Sequence, residues 1–282
     1  MKMMGYIYDI LNVILPFAWA DYKFMKNALL AIIIIAPLMG ILGTMAVNNK
    51  MAFFSDALGH SAFTGIGLGV LFGMDDPLLA MLGFGIFLGL VITKVKSANM
   101  VSSDTVISVF SSAAMALGIV ILSASGGFAK YSSYLIGDIL TVGKTDLITI
   151  GIVLLVAYVL WAVLYNQLLL LSVNRSLAAS RGVKVMLVEN IFVMMVAVAV
   201  MVSIRWVGIL MINSLLILPA AAARNITTTT RSYHWTATAF ALASSVAGLA
   251  VSYSFGTSAG ATMVLTAAVL FFITYFVGKA RK

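Results

Sequence analysis

Long apolar blocks separated by short polar punctuation run through almost the whole chain. About twenty apolar residues are what a helix needs to cross a bilayer. The blocks predict eight to nine such helices, at about 25–47, 51–72, 78–93, 105–123, 147–164 (with 168–171 as its extension), 185–203, 207–222, 235–253 and 259–277. Asp104 is placed to cap the fourth, Pro77 to start the third, and Pro219 to kink or end the seventh. Residues 1–24 alternate apolar side chains with Lys2, Asp9, Asn12, Pro16 and Asp21, which predicts an amphipathic interfacial helix ahead of a membrane domain spanning 25–282. The stretch 126–144 is too polar to cross, and within it 132–140 predicts a short helix lying at the surface or re-entering the bundle. A threonine-rich loop is expected over 224–234.

Composition agrees with an all-α polytopic membrane protein. The 282 residues are 62% hydrophobic and 9% charged, where soluble domains carry about 25% charge. The net charge of +8 does not point to nucleic acid, because the cations are scattered and the densest run is Lys279-Ala280-Arg281-Lys282. With no cysteine, any metal site must use oxygen and nitrogen donors. No cleavable signal peptide is evident.

The cations sort by side. Lys50, Lys94, Lys96, Arg175, Arg181, Lys184, Arg224, Arg231, Lys279, Arg281 and Lys282 fall on one side of the predicted bundle, eleven of seventeen. The positive-inside rule puts that side, with the 174–184 loop and the C-terminus, in the cytoplasm.

Candidate chemistry sits in the second block, where Asp56 and His60 interrupt an apolar run. Ionisable groups at membrane depth are costly and mark functional sites by default. On a helix the two lie on one face, roughly 6 Å apart along the axis. A carboxylate and an imidazole on one spot suit a borderline divalent cation such as zinc or manganese. The same spacing also suits an intramembrane hydrogen bond that never meets an ion, and two ligands alone do not complete a metal site.

Other motifs carry less. Gly137 to Thr145 has five residues between its glycines where a phosphate loop needs four, so any ATP must be bound by another polypeptide. Gly65-Ile66-Gly67-Leu68-Gly69 reads as close helix packing, as do Gly83, Gly85, Gly89, Gly248, Gly256 and Gly260. In 174–184, Arg175, Ala178, Ala179 and Gly182 recur at helical spacing, giving either a solvated loop or a short helix with a flat docking face. Glu189 and His234 are expected to serve as polar groups near span ends.

Four stretches together resemble one family. Asp56-Ala57-Leu58-Gly59-His60-Ser61, Ile136-Gly137-Asp138-Ile139-Leu140, Val207 to Ala223 around Leu218-Pro219-Ala220-Ala221, and Gly260-Ala261-Thr262-Met263-Val264-Leu265 are similar, in this order, to motifs of the membrane permease subunits of ATP-binding-cassette importers for zinc, manganese and iron. The resemblance covers about Lys26 to Val277. It implies a permease fold of the cobalamin and siderophore importer type, in the cytoplasmic membrane of a prokaryote. It also implies a lipid-embedded homodimer, two cytoplasmic ATP-binding subunits and an extracytoplasmic metal-binding protein. The chain itself would be the pore rather than an enzyme, with no resident cofactor and with Zn2+, Mn2+ or Fe2+ as cargo. The metal path carries over onto Asp56 and His60. The ATPase-coupling helix carries over onto Ser176, Leu177, Ala178, Ala179, Ser180, Arg181, Gly182 and Val183. Departures are Ser55 before the acid, Thr64, and Asn213 where a small apolar residue is usual; Ser61 after His60 leans toward the zinc-type members. The alternative is a secondary metal transporter driven by an ion gradient, which would normally bring further intramembrane acids than the one clear candidate here.

Overall fold

The computed structural model describes residues 22–97 and 102–280. The segment expected over 1–24 therefore falls outside the described residues except for its last three. Nine long helices follow in order: α1 (Lys23–Asn48), α2 (Phe54–Leu71), α3 (Leu78–Ser97), α4 (Ser103–Ala124), α6 (Lys144–Val173), α8 (Val185–Val207), α9 (Ile209–Ile226), α10 (Thr230–Phe255) and α11 (Ala259–Ala280). Two short helices interrupt them, α5 (Phe128–Tyr131), continued by 3-10 turns at Ser132–Leu135 and Ile139–Thr141, and α7 (Arg175–Ser180). No strand occurs among the described residues.

Eight of the nine are long and apolar enough to cross a membrane. The exception is α2, whose 18 residues match α9 in length. Its polar and glycine positions lower its hydropathy, and its neighbours α3, α4, α8 and α9 remove most of it from lipid. Exposed apolar stripes sit elsewhere, on α6 (Ile152, Val156, Val163) and α11 (Leu265, Val269, Phe276). Such stripes are stable only because every helical backbone group is paired internally.

Several boundaries differ from the sequence expectation for local reasons. Ser102, not Asp104, caps α4, its hydroxyl accepting from Thr105 N at 3.2 Å. Pro219 lies inside α9, which continues to Ile226. The loop after it is shorter than expected, because Thr229 accepts from Ser232 N and starts α10 there. Gly256 is not a packing residue; it ends α10 in the left-handed conformation, φ 64°.

Small residues set the close approaches. Gly65 lies on the Met81 backbone, Gly118 on the Phe63–Thr64 backbone, and Gly43 on the Leu216 carbonyl. Thr64 Oγ1 also donates to the Ala114 carbonyl, tying α2 to α4. The segment after α5 folds back so that Gly137 meets Gly208, the single residue between α8 and α9, and Gly260 faces the Ile136 and Val207 carbonyls. Burial pushes the nearby Tyr134 phenol above its usual range, so it stands as a neutral hydroxyl close to Arg205 and Asp76.

The cationic loops gather at one end. Lys50, Lys96 and Arg175 line one cavity there, and Arg224 and Lys279 another. The last turns of α1 join the two, since Thr44 bonds His234 and Val47 packs against Ala220, Ala223 and Tyr233. At the opposite end Arg205 pairs with Asp76 at 2.7 Å.

Candidate functional site

Asp56 stands in the first turn of α2 and His60 one turn on. Both side chains face a cavity of about 410 Å³ between α2 and α4, lined also by Phe53, Ser108, Ser112 and Met115. His60 Nε2 is 3.7 Å from Asp56 Oδ1, with side chains 27% and 46% exposed, so the pair opens into the cavity rather than being sealed in the core.

Two partners from other helices orient the pair. Ser111 Oγ lies 2.9 Å from His60 Nδ1, which leaves Nε2 directed at the carboxylate. Asn213 Nδ2 donates to Asp56 Oδ1 at 3.1 Å from the second turn of α9. That reach depends on Gly59: a Cβ there would fall 2.6 Å from an Ile209 methyl and 3.0 Å from Asn213 Nδ2. An imidazole held through its other nitrogen, beside a hydrogen-bonded carboxylate, is the usual outer arrangement of a metal ligand pair. Among the described residues no third His, Cys, Asp or Glu joins them. The arrangement can therefore hold a divalent cation by two donors and needs further ligands from elsewhere.

The sequence singled out Asp56 and His60, and they are brought together. Ser111 was not singled out, although Ser108, Ser111 and Ser112 at helical spacing in an apolar run are a readable polar stripe. Asn213 stood out only as a departure from a pattern.

The candidate coupling residues lie at the cationic end. Asn174 caps α7 through Leu177 N at 3.1 Å, and Gly182 closes it with φ 78°. Arg175 binds Glu189 at 2.9 Å and Ser97 Oγ at 3.2 Å, fastening α7 to α8 and α3. Ser176, Leu177, Ala179, Ser180, Arg181 and Gly182 are exposed, and Val183 is half-buried. The flat face expected from Arg175, Ala178, Ala179 and Gly182 does not form as such: Ala178 is fully buried and Arg175 is engaged with Glu189. Glu189 is thus an ion-pair partner. His234, expected near an interface, is buried at 7% exposure, with Nδ1 2.5 Å from Thr44 Oγ1 and edge-on to Trp161 and Tyr165.

Residues 21–278 match the model of the ABC 3 transport family. The manganese import system permease protein ScaB of Streptococcus gordonii is 30% identical over 263 residues, 93% of this chain and 94% of that one. The high-affinity zinc uptake system membrane protein ZnuB of Haemophilus influenzae is 31% identical over 256 residues, 90% of this chain and 98% of that one. Among solved structures, PsaBC from Streptococcus pneumoniae in complex with Fab aligns with TM-score 0.77 at 29% identity, covering 91% of this chain and 92% of that one. An inward-facing putative metal-chelate type ABC transporter shares the fold, with TM-score 0.70 at 15% identity. The chain belongs to the ABC 3 transport family, as a multi-pass permease of the prokaryotic cytoplasmic membrane.

Proposed function

We propose that this chain is the membrane-spanning subunit of an ATP-driven importer of a divalent transition metal, zinc first and manganese second. The observation that carries the reading is the meeting of the Asp56 carboxylate and His60 Nε2 at the open α2/α4 cavity. Relatives named for manganese and for zinc support a metal cargo.

Zinc takes four ligands, and one chain offers two. Both are partly exposed on the same face, so a second copy related by a twofold axis supplies the other pair, and the homodimer completes the shell. The ligands must be deprotonated to bind, so cargo competes with protons at the site.

The cation-rich end is assigned to the cytoplasm. There α7 is the contact for each of two ATP-binding subunits, and an extracytoplasmic metal-binding protein delivers the ion at the other end. ATP hydrolysis belongs to the separate subunits, since this chain has no phosphate-binding loop. Closure of those subunits moves α7, and through it α6 and α8, as rigid helices that open and close the path in alternation.

The test is uptake of zinc and of manganese by the complete importer carrying Asp56→Ala or His60→Ala. Loss of uptake with unchanged membrane level and ATPase co-purification is expected. Full uptake by both variants sinks the metal path.

A further inference from the structure

Asn213 is the feature of the site that the pair of ligands does not explain. Its Nδ2 is spent on Asp56 Oδ1 at 3.1 Å, while its own Oδ1 is buried and has no hydrogen-bond partner. A buried amide oxygen left unpaired is a cost, and an apolar side chain in this position would carry none. The reverse amide orientation would set that oxygen against the carboxylate. The contact with Asp56 therefore fixes how the amide lies. Gly59 is the other half of the device, because any side chain there would push Ile209 and Asn213 away from α2.

The consequence falls on the carboxylate. Asp56 Oδ1 faces both the Asn213 amide and the His60 ring, whereas Oδ2 accepts no hydrogen bond among the described residues. One oxygen tied to a donor on another helix holds the carboxylate plane and spends one of its lone pairs. That disfavours turning both oxygens to one cation and favours binding through a single oxygen. One oxygen and one imidazole nitrogen per chain suit a small tetrahedral shell, which zinc prefers; manganese favours larger, oxygen-rich shells that a two-oxygen carboxylate helps to fill.

We infer that Asn213 is a positioning residue that restricts Asp56 to single-oxygen coordination and thereby biases the path toward zinc over manganese. This rests on the metal path proposed above, and the experiment separates the two.

The complete importer is assayed in cells lacking other zinc and manganese uptake, with each metal alone, for wild type, Asn213→Leu, Asn213→Ala and Asp56→Ala. Leucine keeps the bulk of the asparagine and removes only its donor and acceptor; alanine removes the bulk as well. Both Asn213 variants are expected to lower the zinc-over-manganese preference by up to about ten-fold, the low end of the affinity that a metal site loses with an outer partner. The change is expected in KM for the two metals rather than in a common loss of rate. A wild-type preference in Asn213→Leu overturns the inference, because packing alone would then account for the residue. Wild-type uptake by Asp56→Ala overturns the underlying metal path instead, whatever the Asn213 variants do.

Discussion

Gly137 and Gly208 pack backbone on backbone, so closely that a Cβ on either would fall within the other's main chain. Both have positive φ, 71° and 81°, and Gly208 at ψ 159° lies in a region open to glycine almost alone. Gly260 faces the same point, so three stretches far apart in the sequence meet there. Alanine at Gly208 is expected to cost on the order of 1–3 kcal/mol for the backbone alone, with the clash added. Gly182→Ala is the control, since its φ of 78° opens on free space and only the left-handed strain remains, roughly 1–2 kcal/mol. Thermal unfolding in detergent should rank Gly208→Ala well below Gly182→Ala, and equal midpoints would show that the contact is not constraining.

Ser111 is expected to act on the cargo through His60. Without its hydroxyl the ring loses the partner that aims Nε2 at Asp56. Ser111→Ala should weaken apparent metal affinity by roughly ten-fold, with Ser111→Thr restoring most of it. Uptake kinetics at matched protein levels check this, and an unchanged KM in the alanine variant would count against the role.

The sequence made the helices legible because lipid demands long apolar runs, and it made Asp56 and His60 legible because charge is rare in such runs. Helix ends were less so: a serine outcompeted an aspartate two positions on as the cap of α4, and Pro219 was absorbed within α9. What stayed hidden was the partnership of Ser111 and Asn213 with the pair. Their separations of 51 and 157 residues put those contacts beyond any local pattern. The burial of His234 was hidden likewise, because it depends on α1 arriving beside α10.

That buried contact gives a stability prediction. Thr44 Oγ1 lies 2.6 Å from the Ile41 carbonyl and 2.5 Å from His234 Nδ1, while His234 Nε2 is buried with no hydrogen-bond partner among the described residues. Thr44→Val therefore leaves both nitrogens of a buried imidazole unpaired and should cost about 1–3 kcal/mol. His234→Phe in the same background removes the stranded group and should recover part of the loss. A double variant no more stable than Thr44→Val alone, by unfolding in detergent, would remove the hydrogen bond from the account of how α1 and α10 hold together.

Docking of the ATPase is predicted to follow the exposure pattern of α7 rather than its helical spacing. Leu177, 42% exposed, and Ala179 project outward from a helix whose underside is anchored by buried Ala178 and by the Arg175–Glu189 pair. An exposed ion pair of this kind contributes about 0.2–1 kcal/mol, so Arg175→Ala should loosen α7 only slightly. Ala179→Asp instead places a charge on the outward face, and a single like-charge or unpaired contact in an interface costs far more than the ion pair contributes. The expected result is loss of ATPase co-purification and of ATPase stimulation by the delivery protein in Ala179→Asp and Leu177→Asp, with near-normal values in Arg175→Ala. Ala178→Leu should fail differently, by overpacking against the protein's own helices, and lower the unfolding midpoint. If Ala179→Asp and Leu177→Asp keep full coupling while Arg175→Ala loses it, the partner is reading the charge beside α7 and not its outward face.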